Sequence, residues 1–336
     1  DGLILYVTSG TKCIKIVSEK WENVEALVCN HEEADTRILL HAKHISNYAY
    51  EGIVIVAQDT DVRLLAIAFS DDISIPIFQK CVSPTRTIYI NLTTVSQNIG
   101  YSLSKALLGL HAFTGCDTVS AFAGKGKVSA LNILKKHPGW CEIFQMSGED
   151  WIVPDALINR LVEFVCVLYG SEENMKNVNL YRYHLWLAKK GNIESYQLPP
   201  CLDCLKKHIL RANYQVCIWK KCFEPTPHIP SPVGYGWCKK GEELVIDWMD
   251  GLPAPQAVLE LLSCSCNKNC KGPDCPCVRN GLKCSDMCRL TNCDNQNVDI
   301  DDEELDVCNP NEEDSDETKC TDLPLIYFHK NVTITT

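Results

Sequence analysis

Apolar and polar residues recur along the first 145 positions with two periods. Positions 3–7 (LILYV) and 13–17 (CIKIV) are short runs rich in β-branched residues, and Ser9-Gly10-Thr11 between them is a hairpin signal. Positions 31–44 carry Ala34, Ile38, Leu39 and Ala42 at helical spacing. Positions 52–57 (GIVIVA) form a continuous apolar run, which marks a buried parallel strand. The pattern then predicts a helix over 62–69, a strand over 87–90, and helices over 103–110 and 128–136, with Asn91 as an N-cap. Strands alternating with helices predict an α/β fold, a parallel sheet with helices on both faces.

Beyond residue 145 the period becomes helical, over 158–169, 181–190 and 202–219. Positions 223–255 are rich in Pro, Gly and Trp and read as an extended segment packed over the surface. Cysteines crowd 263–294, and an acidic tail follows. No internal repeat is visible. The chain therefore divides into an α/β region (1–145), a helical and extended region (146–262), a cysteine module (263–294) and a tail (295–336) predicted to be disordered.

The 336 residues suit two or three domains, and 46% hydrophobic with 22% charged residues excludes a collagen, a coiled-coil rod and a wholly disordered chain. The apolar run 64–69 is far too short to span a bilayer, and no leader pattern opens the sequence. The first residue is Asp1, which leads us to expect an upstream segment. Net charge is −11, yet residues 294–322 hold 13 acids against the single base Lys319. The rest of the chain is about neutral, so the acidity does not argue against nucleic-acid binding. The tail itself reads as a solubilising end, or as a DNA mimic competing for a basic surface.

The first chemistry is carboxylate. Glu33 and Asp35 open the helix after Asn30, Asp59 and Asp61 follow the buried strand, and Asp117 lies in a loop after a helix. Residues i and i+2 of an extended stretch point the same way. The carboxyl end of a parallel strand is where open α/β sheets place their sites. Five carboxylates in one cleft repel unless a cation neutralises them, and oxygen-only ligands select Mg²⁺ or Mn²⁺. Two such ions about 3.5–4 Å apart can clamp a phosphodiester. Simpler roles exist for each acid: Glu33 and Asp35 as complements to a helix N-terminus, Glu32 in place of Glu33, Asp61 as an N-cap, Asp117 as a turn residue.

The order EEAD (32–35), DTD (59–61), TGCDT (114–118) and FAGKGKVSALNIL (122–134) resembles the flap-endonuclease branch of PIN-like nucleases. That family has a Glu-Ala-Glu-Ala motif, an Asp-x-Asp motif, a Gly-x-Asp motif and then a Gly-x-Gly helix-hairpin-helix element. The resemblance implies a PIN-like three-layer domain in which Glu33, Asp35, Asp59, Asp61 and Asp117 hold two divalent metals for DNA hydrolysis. It also implies that Gly124, Lys125, Gly126 and Lys127 grip duplex phosphate through backbone N–H groups, as glycines and a helix N-terminus permit. The family carries a further strand with a metal-binding aspartate before its first motif, where only about 30 residues stand here. The resemblance thus spans the latter part of a nuclease domain.

The second chemistry is thiolate. Of 21 cysteines, eight lie between positions 264 and 293: Cys264, Cys266, Cys270, Cys275, Cys277, Cys284, Cys288 and Cys293. A large chain with one dense cluster points to a reducing compartment and a metal site rather than a disulfide framework. Eight thiolates suffice for two tetrahedral zinc sites, or for more ions if sulfurs bridge. The segment has almost no apolar residues, so metal binding must supply its folding free energy. CSCNKNC, the central CPC and RNGLKCSDMC resemble one repeat of the tesmin-type CXC domain, a cysteine-rich DNA-binding module. The family repeat holds three zinc ions through nine cysteines. Leu290 stands where the further cysteine is expected, so the resemblance implies two or three ions, with Asp294 as a substitute ligand. The family's DNA-contacting tyrosine has no counterpart in the module. Lys268, Lys271, Arg279, Lys283 and Arg289 remain to meet phosphate, a mainly non-specific mode.

Cys201-x2-Cys204-x3-His208, with Cys217 and Cys222 after it, has a metal-like spacing on a helix and reads as structural; His111 reads as a buried core histidine. The chain as a whole resembles uncharacterised animal proteins that pair these two regions, including mobile-element-derived ones. Two functions compete on this reading: a nuclear divalent-metal nuclease with a zinc DNA-tethering module, and a non-catalytic DNA- or protein-binding factor working through that module. No membrane partner is expected.

Overall fold

The predicted hairpin forms at the start of the chain: β1 (Ile4–Ser9) pairs antiparallel with β2 (Lys12–Val17), and β3 (Lys20–Asn23) extends the sheet from β2. Its small core of Cys13, Leu27 and Cys29 packs with Leu40. The computed structural model describes residues 3–83, 86–171, 175–190, 193–251, 264–267, 270–271, 274–279, 282–284, 288–290, 293–295 and 332–335. They fall in two units, residues 1–249 with 328–336, and residues 250–327.

In the large unit the chain continues through α1 (Ala34–Ile45), β4 (Ile53–Val56), α2 (Thr60–Ala68), β5 (Ile77–Val82), β6 (Thr87–Asn91) and α3 (Leu92–Ile99). Asn91 caps α3 as expected, its side chain accepting from Thr94 N at 2.9 Å. A helical series follows: α4 (Tyr101–Thr114), α5 (Lys127–Lys136), α6 (Cys141–Met146), α7 (Asp155–Leu168), α8 (Val178–Ala188) and α9 (Leu202–Lys220). The hairpin β7 (Trp237–Lys240) and β8 (Glu243–Ile246) lies in the Pro/Gly/Trp-rich stretch.

The central sheet departs from the all-parallel expectation. Its order is β6-β5-β4-β9, with β9 formed by Val332–Thr335. β4 runs parallel to β5 and β9, but β5 and β6 are antiparallel. The reason is local: Ser83 and Arg86 bond to each other through main chain and hydroxyl, closing a short connection that can only reverse direction. β4 is buried at Ile53, Val54 and Ile55, which point alternately to both faces. β5 escapes a hydrophobic reading because its centre is polar. Gln79 is fully buried there, and its amide donates to the carbonyls of Ala57 (2.9 Å) and Asp59 (3.3 Å). Of the tail, Asn295 and residues 332–335 are among the described residues; 296–331 and 336 lie outside them.

α4 is the pivot of the large unit. From Leu108 to Thr114 every residue is buried, and the helix packs against α2, α3, α5, α6 and α9. Gly109 lets α6 approach: a Cβ there would sit 2.3 Å from the Phe144 carbonyl oxygen. Farther along, Arg211 of α9 is 1% exposed and ties down the 231–248 stretch, donating to the carbonyls of Gly236 (3.0 Å) and Asp247 (3.1 Å). That explains why a segment without helical or strand periodicity is ordered.

Gly109→Ala is expected to destabilise the large unit by about 1–3 kcal/mol, because backbone must shift to admit the methyl group. Gly139→Ala, where a Cβ meets nothing within 4 Å, is the control. Thermal melts followed by circular dichroism should show a clear drop for the first and none for the second.

Candidate functional site

Two helix N-termini build the acidic centre. Glu33 occupies the N-cap position of α1 with extended backbone (φ −82°, ψ 133°), and Asp35 sits in the first turn. After β4 the chain passes through Ala57 and Gln58 to Asp59, which caps α2 by accepting from Asp61 N at 2.8 Å. Asp59, not Asp61, is therefore the cap, and Asp61 is free to face inward from the first turn. Buried Gln79 fixes this connection by holding the carbonyls of Ala57 and Asp59, while its own carbonyl accepts from Arg63 at 2.6 Å.

Carboxylate oxygens of Asp35, Asp59 and Asp61 come within 4.8 Å of one another. Glu33 and Asp117 are close enough to act on Asp35. Burial first, and then the charges of Asp59, Asp61, Glu33 and Asp117, push the Asp35 carboxyl up from the usual aspartate range to about 6. All five acids singled out in the sequence thus lie near one another, in three settings. Asp35, Asp59 and Asp61 form the triad. Glu33 is committed to protein: its oxygens accept from Gln215 Nε2 (2.8 Å) and Trp219 Nε1 (3.0 Å), both on α9. Asp117 is exposed in the turn after α4, where Cys116 and Val119 form a bridge. Glu32 is exposed and is not among the charges felt by Asp35, so it does not replace Glu33.

Behind the triad lies a support that sequence patterns do not disclose. His111 of α4 is buried and its Nε2 lies 2.6 Å from Asp61 Oδ1. Its ring stacks on Trp219, centroids 5.8 Å apart. Thr118 donates to Gln215 Oε1 at 2.7 Å, and Gln215 passes the chain on to Glu33. These contacts join residues 50 to 186 positions apart in sequence, and no local period signals them. An oxygen-only triad of two half-buried aspartates and the exposed Asp59 suits a hard divalent cation, which would relieve the mutual repulsion.

The glycine-lysine element forms the start of α5. Gly126 is its N-cap, and Gly124 has φ +64° in the preceding turn. Both lysines make internal contacts: Lys125 Nζ lies 5.1 Å from the Tyr169 ring centre, and Lys127 Nζ donates to the Gly115 carbonyl at 2.5 Å. His208 is excluded from the metal-like cysteine spacing on α9, because its Nε2 meets the Phe113 carbonyl at 2.8 Å and its Nδ1 faces Ser120 Oγ at 3.5 Å. Burial lowers its pKa to about 4, so it stays neutral.

In the smaller unit, the sulfurs of Cys264, Cys277, Cys284 and Cys288 cluster within 4.8 Å, as do those of Cys264, Cys270, Cys275 and Cys284. Two four-thiolate groups therefore share Cys264 and Cys284, and the shared sulfurs are 4.0 Å apart. Cys266 is half-buried and interacts with the thiols of Cys264, Cys270 and Cys275, while Cys293 interacts with those of Cys270 and Cys284. Such crowding opposes ionisation of the free thiols. Burial and then neighbouring thiols push Cys270 and Cys277 far above the usual thiol range, and burial lifts Cys284 to about 12. Although burial opposes it, the Val278 amide and the thiols around it hold Cys275 at about 6. Asn295 Nδ2 donates to Cys284 Sγ (3.2 Å) and Cys264 N to Cys288 Sγ (3.3 Å), bonds that suit thiolates held for a metal. Asp294 pairs with Lys271 and belongs to neither four-sulfur group. Lys271, Arg279, Lys283 and Arg289 are exposed, and Lys268 lies outside the described residues.

No protein-family model, curated protein or solved structure matches this chain. Among the described residues no helix is long and apolar enough to cross a membrane.

Two outcomes are expected. Purified full-length protein should carry at least two zinc ions by elemental analysis. Cys264→Ser, which removes a shared sulfur, should lose both, whereas Cys275→Ser and Cys288→Ser should each lose one. In the acidic centre, the native state holds the Asp35 proton more tightly than the unfolded chain, whose aspartates titrate near about 3.9. Without added divalent cation, this group's contribution to stability should therefore fall as pH rises from about 4 to 6 and stay low above that. Asp35→Asn should raise the melting temperature at pH 7.5 and leave it unchanged near pH 4, and Mn²⁺ should stabilise the wild type but not this variant.

Proposed function

We propose that this chain is a divalent-metal-dependent nuclease, a phosphodiester hydrolase acting on DNA in the nucleus, and that its cysteine module binds zinc and tethers it to DNA. The observation that carries the reading is the Asp35–Asp59–Asp61 triad, placed after the parallel strand β4 and at the N-termini of α1 and α2. Asp35, Asp59 and Asp61 would hold Mg²⁺ or Mn²⁺. When bound, the cation supplies Lewis-acid charge to the phosphoryl oxygens and lowers the pKa of water.

The chain's own residues do the rest. His111 orients the Asp61 carboxylate through one ring nitrogen, and the Trp219 indole stacked on its ring holds it in place. Gln79 anchors the connection that carries Asp59. Glu33, pinned by Gln215 and Trp219, contributes fixed negative charge beside the triad. Asp117 adds an exposed carboxylate at the rim, where it can accept a proton from an incoming water. Phosphate contacts fall to the basic residues of the cysteine module and to the open N-terminus of α5.

A second reading rests on a different observation. The cysteine module is a unit in its own right, and Glu33 already spends both oxygens on α9. On this reading the module binds DNA or a protein, and the acids are inherited without use. Labelled single-stranded, duplex and flapped DNA incubated with Mn²⁺ decides between the two. The hydrolase reading expects cleavage that disappears in the Asp59→Ala/Asp61→Ala double mutant. Retention of DNA that depends on zinc, with no cleavage by either protein, would favour the second.

A further inference from the structure

We infer that the outer face of α8 is a binding surface for the unpaired bases of a single nucleic-acid strand. A surface helix ordinarily carries one apolar stripe and turns it inward. α8 carries two. Val178 and Tyr181 are buried, and Leu185 packs on the core beside them, at i, i+3 and i+7. Leu180, Tyr183 and Leu187 repeat that spacing on the far side of the helix, with Trp186 next to them. These four side chains are between 45% and 55% exposed. The inner stripe is satisfied by the core, so the outer one is not needed for folding and marks a surface kept for a partner.

Ring geometry and charge decide which partner fits. The Tyr183 and Trp186 rings are nearly parallel, with 15° between their planes and 6.4 Å between centroids. The aromatics of the core meet edge to face instead, as Phe144 and Phe164 do at 85°. Parallel, exposed rings let a flat group stack on one without being tilted off the other, which is how unpaired bases are held. The charge around them has one sign. From Met175 to Ile193 the sequence holds the bases Lys176, Arg182, Lys189 and Lys190 and no acid. Lys176, Lys189 and Lys190 are exposed and pair with no carboxylate among the described residues. Lys189 and Lys190 complement the negative end of the helix, an ordinary placement. Lys176 does not: it precedes the N-cap Asn177, at the positive end, where a base is unfavourable for the helix and favourable for a phosphate. Cations thus stand at both ends of the aromatic pair, where the backbone of a stacked strand would run. The same residues weigh against other partners. A second copy would set these bases against one another. A bilayer calls for apolar side chains inserted into it, whereas about half of each of these four is covered by the protein. A duplex keeps its base faces inside its own stack and would leave the rings unused. α8 supplies no residue to the acidic centre, and the inference stands without the hydrolase reading.

The test uses the full chain without added Mg²⁺ or Mn²⁺ and two fluorescent probes of equal charge: a short oligothymidylate, and its abasic counterpart with the same sugar–phosphate backbone. Phosphate contacts made by the cysteine module weigh equally on both, so the difference between them reads the bases. We expect the oligothymidylate to bind at least about tenfold more tightly, within the range for one stacked base. Tyr183→Ala/Trp186→Ala should bring the two probes to the same Kd, and Tyr183→Phe, which keeps the ring, should retain the difference. Both positions are exposed, so thermal melts should confirm that the variants are folded. Irradiating the wild type with a strand carrying 5-iodouracil should crosslink it to the peptide that holds Tyr183 and Trp186. Equal binding of the two probes by the wild type, an unchanged preference in the double variant, or crosslinks only elsewhere would each overturn the proposal. So would a double variant that keeps the preference but loses binding to phosphatidylserine vesicles, or loses a dimer seen by ultracentrifugation; these would reassign the face to a membrane or to a second copy. An oligouridylate arm tells RNA from DNA as the tighter strand. Ring-dependent binding by a chain that cleaves no DNA would keep this face and remove the hydrolase reading; cleavage without ring-dependent binding would do the reverse.

Discussion

Mutual repulsion of carboxylates is the constraint around which the large unit is organised. Bringing Asp35, Asp59 and Asp61 within 4.8 Å of one another, with Glu33 and Asp117 nearby, raises the free energy of every charged form. The fold meets that cost with fixed dipoles. Asp35 and Asp61 lie in first turns, where the positive ends of α1 and α2 favour anions. Asp59 is used as a cap, Asp61 receives His111, and Glu33 receives two donors from α9. What remains uncompensated is concentrated on Asp35, whose carboxyl is pushed up to about 6. A site in which one member is left short of compensation is set to gain from a cation.

The cysteine module faces the same problem in thiolate form. Its apolar contacts come from the cysteines themselves, with Val278, Leu282 and Leu290 packed alongside. A core of eight sulfurs cannot hold as eight negative charges, and as thiols it lacks the area to fold on hydrophobic burial. Sharing Cys264 and Cys284 between two four-sulfur groups reduces the sulfurs needed for two tetrahedral sites from eight to six. Leu290, standing where the CXC resemblance expects a cysteine, packs as an apolar residue against the cluster. Asp294 pairs with Lys271.

α9 links the two sides of the acidic centre. Gln215 and Trp219, four residues apart, lie on one face of the helix and both reach Glu33. Trp219 also carries His111, and Tyr214 forms a wall of the cleft that Glu33 also lines. Arg211 of the same helix holds the 231–248 stretch in place. One helix thus sets the geometry of the acids, of their histidine and of the cleft beside them, so substitutions in it should disturb all three.

Local chemistry determined a good deal from sequence alone. The β1–β2 hairpin, the buried strand β4, the helices that follow and the Asn91 cap all obey short-range rules of period and hydrogen bonding, which operate within a few residues. The cysteine spacing marked a cluster whose sulfurs come close enough to hold metal, because thiolates at that density have few other uses. The five acids were legible as a set because each stands at the end of an element, where side chains converge in a layered sheet. Tertiary structure decided the remainder. It placed β6 antiparallel through a short connection, made a strand around buried Gln79, chose Asp59 over Asp61 as the cap, and assigned Glu33 to α9 rather than to the triad. It also paired Asp61 with His111. Each of these depends on residues far apart in the chain meeting in space, and hydrogen bonds of that range leave no period or spacing in the sequence.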